Sequence, residues 1–221
     1  MQCTQSFTYF NQKHMKKIIT LVLLAFIGFS TAAFAESNEA KIAKEHTKMA
    51  EKIAKQRAKE LKKEKWIFNG ASSLEAALCD YLLQTDKSCG GDKRGQVYDI
   101  NNAASLSLGD KRLLMDAQTH YIQEVQAEFS ANIAVHAGQT NDTPLEAYIA
   151  DVEARIAGEV RGEVHNAFTI YRKNSDGTFS VRGFFIIDVN EAAIRLNHYA
   201  DQIENNEKIA DAIRRAAHCG E

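Results

Sequence analysis

The chain predicts an α+β fold: a small antiparallel sheet, made of a hairpin plus one or two short strands, packed by long helices and preceded by an N-terminal helical arm. Two observations carry this. Residues 161–188 read as two strands around the turn "NSDGT", where Gly177 suits a positive φ. Stretches on both sides repeat apolar residues every three or four positions, the helical period. One proline in 221 residues agrees with long helices and few irregular excursions.

The elements follow in order. "KWIFNG" is a short strand ending at Gly70. "SSLEAALCDYLLQT" is a helix, with Ser72 and Glu75 matching a capping box. Its Leu74, Leu78, Tyr81 and Leu82 share a face. "DKSCGGDKRGQ" is a loop and "QVYDI" a second short strand. A long helix runs from about Asp110 to about Ala137, with Leu114, Ala117, Tyr121, Val125, Phe129 and Ile133 inward and Gly138 as its stop. Thr143, Pro144 and Glu146 open the next helix, whose stripe is Leu145, Tyr148, Ile149, Val152 and Ile156.

In the hairpin, Val160, Val164, Phe168 and Ile170 fall broadly on alternate positions, and Phe179, Val181, Phe185 and Ile187 continue the alternation. The hairpin is expected to floor the core, with Phe179, Val181, Phe185 and Ile187 facing inward. Phe184 and Ile186 point the other way and are too apolar for bare surface, so the arm, another helix or a partner should cover them. Asn190 caps a last helix through about Ala217.

The N-terminus reads as an address. "MKKIITLVLLAFIGFSTAAFA" has Lys16 and Lys17, an apolar run from Ile18 to Phe29, and Ala33 and Ala35 around Phe34. That is the layout of a secretory leader cleaved before Glu36. The run is short of the ~20 residues of a comfortable membrane span, so no transmembrane segment is expected after cleavage. Residues 1–14 have no such logic, and translation is expected to begin at Met15. The organisation expected is thus a leader over 15–35, a basic helical arm over 36–65 and a single α+β domain over 66–221. The compartment expected is the periplasm or exterior of a Gram-negative bacterium.

Three of the 27 Lys and Arg lie in the first 35 residues, so the mature chain carries 24 against 29 Asp and Glu, a formal charge of about −5. That balance argues against nucleic acid as a partner. The arm is the exception, with ten basic residues against six acidic ones. Its Ala, Lys and Glu favour helix. Ile42, Met49, Ala50, Ile53 and Leu61 make only a narrow apolar stripe, so it reads as a solvated arm. The alternative is a basic helix resting on an anionic surface or on the acidic body.

In an oxidising compartment Cys79 and Cys89 are a candidate disulfide, with Cys219 left odd or competing for a partner. The chemistry-bearing motifs looked for are missing. The sequence holds no H-E-x-x-H, no C-x-x-C, no G-x-S-x-G and no phosphate loop. Its histidines after Met15 are scattered, and His165 reads as a surface position. No cofactor, metal or catalytic residue is therefore expected. Arg161, Glu163, Arg172 and Arg182 read as cross-strand charge pairs, with a polar recognition strip as the alternative.

The run "LLMDAQTHYIQEVQAEFSANIAV" followed by "LEAYIADVEARIAGEVRGEVHNAFTIYRKNSDGTFSVRGFFII" resembles the LPP-twenty-type envelope lipoproteins. The N-terminal domain of flagellar assembly protein T is similar in layout. The matching elements are Ala117 to Val135, Leu145 to Glu159 and Val160 to Asp188. The chain also looks like uncharacterised secreted proteins of Gram-negative gut anaerobes. The resemblance implies helices on one face of a small antiparallel sheet and an envelope location. It carries over no catalytic residues. The chain departs from it in having no lipid-bearing cysteine after the leader, which puts outer-membrane anchoring in question.

These readings favour an exported, non-catalytic envelope protein with a structural or interaction role, partnered by an envelope protein or peptide. The alternatives are a periplasmic binder of a small ligand or peptide using the sheet face, and an enzyme. Arg182, Phe184 and Ile186 mark the candidate interaction face.

Overall fold

The computed structural model describes residues 38–137, 143–203 and 206–218, apart from the side chains of 135–145. The expected leader, with Ala33, Ala35 and Glu36, and the third cysteine, Cys219, lie outside the described residues. The chain divides into two compact units between Glu45 and His46. Residues 38–45 are the described part of the first, and they are helical. The account below concerns His46–Glu221.

In this unit helix α1 covers residues 46–63. After it come β1 (Ile67–Phe68), α2 (Leu74–Thr85), a single 3₁₀ turn (Lys87–Cys89) and β2 (Arg94–Ala103). Helices α3 (Leu106–Ala137) and α4 (Thr143–Arg161) precede the hairpin β3 (Val164–Lys173) and β4 (Phe179–Ile187). Helices α5 (Val189–Asp201) and α6 (Glu207–Ala217) end the described chain. The sheet is antiparallel, in the order β1-β3-β4-β2. The α+β class is therefore as expected, but β2 is ten residues long rather than a short strand.

The sheet is covered on both faces, where the resemblance implied one. On the first face, Leu113, Ala117, Tyr121, Val125 and Phe129 of α3 pack with Val181, Phe185 and Ile187 of β4. Residues of α4, α5 and α6 complete that core. On the second face, Phe168, Ile170, Phe184 and Ile186 lie against Ala50, Ala54, Ala58 and Leu61 of α1 and against Leu74, Leu78 and Leu82 of α2. Strand β4 is buried on both sides, and this is why "GFFII" is apolar without alternation. Phe179, Val181, Phe185 and Ile187 do share the first face.

The reading of residues 46–61 as solvated is corrected by that second core. Ala50 and Ala58 are fully buried and Ala54 nearly so. Alanines spaced by four present a flat seam, so the helix backbone comes close to the sheet and buries area without large side chains. The helix ends in a Schellman motif: Trp66 N donates to Leu61 O at 3.0 Å and Lys65 N to Lys62 O at 3.1 Å. Lys65 supplies the positive φ, +65°. Trp66 is thereby turned in against the second core.

A β-bulge breaks the alternation read in β3. Asn166 faces Phe185 on β4, but Phe168 faces Phe184, so Ala167 is an extra residue in the ladder. Val164 therefore joins the first core while Phe168 and Ile170 join the second. The turn at Gly177 has φ +87° as expected, and Asp176 Oδ1 accepts from Thr178 N at 3.0 Å.

Four helix boundaries differ from the sequence reading, the first being the start of α3 at Leu106 rather than about Asp110. The cap of α2 is Ser73, whose Oγ accepts from Ala76 N at 3.1 Å. Two adjacent serines leave that choice to the chain's approach, and Glu75 reaches Lys62 instead, at 2.9 Å. Asp188 rather than Asn190 caps α5, accepting from Glu191 N at 3.2 Å. The single last helix is two. Gln202 N and Ile203 N bond three residues back and tighten the end of α5, and Asn206 caps α6 by accepting from Ile209 N at 3.3 Å. An asparagine side chain offers the backbone a substitute acceptor and so permits the break. The cap expected at Thr143 and Pro144 falls among side chains outside the described ones.

Candidate functional site

The residues first singled out do not assemble into one site. Phe184 and Ile186 are 5% and 7% exposed and belong to the second core, so the apolar part of the candidate interaction face is covered by α1 and α2. Arg182 stays at the margin of that core. Its guanidinium makes two bonds to Asp99, the residue opposite on β2, at 2.6 and 2.7 Å. The Asp99 carboxylate raises the Arg182 pKa, and burial opposes it. Arg182 also lies 4.7 Å over the Trp66 ring, which Arg172 approaches at 4.9 Å. Trp66 Nε1 donates to Glu64 at 3.1 Å.

Glu163, nearly buried, pairs instead with Arg195 of α5 at 2.7 Å. Of the four hairpin charges, Arg182 makes the expected cross-strand pair, Arg172 shares the Trp66 ring with it, and Glu163 pairs off the sheet with α5. His165 is exposed. Cys79 and Cys89 are free thiols, one half-buried and the other buried. Burial pushes the Cys79 thiol up, and Asp80, Glu51 and Cys89 add to it. Among the described residues no group of three or more His, Cys, Asp or Glu side chains is placed to hold a metal ion, and no helix is long and apolar enough to cross a membrane.

The site the structure does build is a groove of about 690 Å³ at the β1 side of the sheet. It exists because β1 stops after two residues. Ile67 and Phe68 face Tyr171 and Ile170, and then the chain leaves the sheet through Asn69 and Gly70. Gly70 leaves room there for the Phe68 ring, which a Cβ would force to shift. Beyond that point β3 has β4 on one side and, among the described residues, no strand on the other.

The groove wraps this free edge. On the second face its floor is aromatic. Phe168 stacks on Phe184 at 4.3 Å, Tyr81 meets both edge-on at 6.2 and 5.5 Å, and Phe68 closes on Phe168 at 5.8 Å. Burial raises the Tyr81 pKa, and its hydroxyl donates to Gln96 O at 3.4 Å. The walls are loop residues 69–72 and the Ala77, Asp80 and Gln84 side of α2. On the first face the lining is Tyr171, Val181, Leu106 and Asp110. Along the edge, Asn166 Nδ2 donates to Thr169 Oγ1 at 3.1 Å, and Ala167 is exposed.

Sequence reasoning missed this groove. The turn-forming "NGASS" after a very short strand was its one available signal. A second, smaller opening of about 270 Å³ lies between α1 and β2, lined by Arg57, Glu64, Val97 and Arg182 among others.

No family model, no curated protein and no solved structure matches this chain.

Proposed function

We propose that the protein is an exported, non-catalytic component of a Gram-negative cell envelope that works by holding a partner. The resemblance to LPP-twenty-type lipoproteins is part of that proposal, and so is the leader over residues 15–35. One observation supports the holding role above the others: the groove of about 690 Å³ at an uncompleted sheet edge. Clefts of this size that join an apolar floor to a few polar groups are the usual form of a binding site. The sheet-face version of the binding role has little support, because α1 and α2 cover Phe168, Ile170, Phe184 and Ile186.

The test is expression of the full chain with a C-terminal tag in a Gram-negative host, followed by osmotic-shock fractionation and N-terminal sequencing. Release with the periplasm and a new terminus at Glu36 are expected. An uncleaved chain that fractionates with the cytosol ends the export reading. Cross-linking of the released protein to envelope components, lost on deletion of loop residues 69–72, is the expected sign of the holding role.

A further inference from the structure

We propose that the groove is a strand-addition site whose ligand is a short extended peptide with basic side chains on both of its faces. This rests on the holding role above and names its ligand.

The backbone supplies the first argument. Strand β1 runs antiparallel to β3 and leaves after Phe68. An incoming strand on the same line, opposite Asn166 to Thr169, takes up the ladder where β1 drops it. An uncompleted edge offers N–H and C=O groups to such a strand, and alternate side chains then read the two faces. The bulge at Ala167 gives this edge one residue more than β4 opposes.

The groove's shape supplies the second argument. It reaches both faces of the sheet at this edge: Phe168 and α2 line one side, Tyr171 and the start of α3 the other. A ligand confined to one face would need only half of it. An extended chain, whose successive side chains point to opposite faces, fills both halves.

Charge supplies the third. Among the described residues, Asp80, on α2, and Asp110, on α3, are the only charged side chains lining the groove. Both are exposed, and they stand on opposite faces of the sheet. A peptide whose two basic residues are an odd number of positions apart presents one to each. The 10-residue β2 forms the opposite edge of the sheet. Its Asp99 is already bonded to Arg182 and its Arg94 to Glu124, so the two edges differ in the charge they leave unengaged.

The experiment uses the full chain and the fluorescein-labelled peptide Val-Lys-Val-Thr-Lys-Val, with lysines on opposite faces, read by anisotropy at low salt. Saturable binding is expected. About tenfold weakening is expected for Asp80→Asn with Asp110→Asn, for glutamate in place of both lysines, and for Val-Lys-Thr-Lys-Val-Val, with both lysines on one face. N-methylation of alternate peptide amides should abolish binding. Circular dichroism checks that the double variant is folded, which the exposure of both aspartates favours. Absence of binding up to ~1 mM overturns the proposal, as does equal affinity for the N-methylated peptide, for the glutamate peptide or by the double variant. Export and envelope cross-linking are measured separately, so they stand or fall independently of this result.

Discussion

The two faces of the sheet are closed by different means. The first is closed by volume: Tyr121, Phe129 and Phe185 are essentially inaccessible, and aliphatic side chains from four helices fill the space among them. The second is closed by proximity. Ala50, Ala54 and Ala58 of α1 lie against Ile170, Phe184 and Ile186, and the bulk comes from the strands and from Leu74, Leu78, Tyr81 and Leu82 of α2. A core of the first kind is announced by large apolar residues at a helical period. A core of the second kind is built on a helix whose composition is that of a solvated one. The same seam that covers β3 and β4 leaves Val97 of β2 half exposed, and the cover gives out into a groove at the β1 side.

Neighbouring phenylalanines on β4 break or sharpen this contrast most directly. Phe185→Ala should cost about 3–5 kcal/mol, because the ring is fully buried and packs edge-on to Tyr98 at 5.9 Å. Phe184→Ala should fall at the low end of that range, since the ring lies at the rim of the opening between α1 and β2 and its surroundings can relax. Urea denaturation measures both, and a larger loss at Phe184 would reverse the assignment of the two cores.

Next comes the seam itself. Ala54→Leu should cost about 1–3 kcal/mol by overpacking, whereas Lys55→Leu on the exposed side should change stability by under about 0.5 kcal/mol. If Ala54→Leu is as silent as Lys55→Leu, α1 does not lie on the sheet.

A smaller effect is expected where β4 hands over to α5. Asp188 caps that helix and meets Lys93 at 2.7 Å. Burial pushes its carboxyl up, but the Lys93 ammonium, the Glu191 N–H and His165 together hold it below the ordinary aspartate value. A folded-state pKa below the unfolded one adds stability that is present above about pH 4 and is lost as pH falls through the folded value. Asp188→Ala should cost about 0.5–2 kcal/mol at neutral pH, and Asp188→Asn should flatten the acid limb of stability against pH. An unchanged acid limb would remove Asp188 from the acid response. The smallest effect belongs to Lys62→Ala. Its pair with Glu75 at 2.9 Å is solvated on both sides, and the melting temperature should not move beyond measurement error.

How legible these features were follows from their range. The stripe on α3 was readable because it depends only on spacing along one helix, and all but Leu114 of its expected positions are buried. The hairpin was readable because its turn residues act within four positions of one another. The bulge at Ala167 was not. Alternation in "VHNAFTI" fits either an even strand or one with an inserted residue, and only the register against β4 separates them. The break at 202–206 was hidden for a related reason, since helical spacing carries through it from Tyr199 and Ile203 to Ala210. In the groove, Asp80 and Asp110 are thirty residues apart and unremarkable on their own helices; only the packing of those helices on opposite faces of one edge brings them together.

By itself, then, the sequence determined the α+β class, the strand and helix identities, the hairpin turn and the inward side of β4. Each of these rests on propensities and periods that act over a few residues. The tertiary structure decided which element covers the second face, where the chain leaves the sheet and which side chains meet at its open edge. Those depend on how closely two backbones approach. An alanine looks the same in sequence whether a sheet or water lies against it.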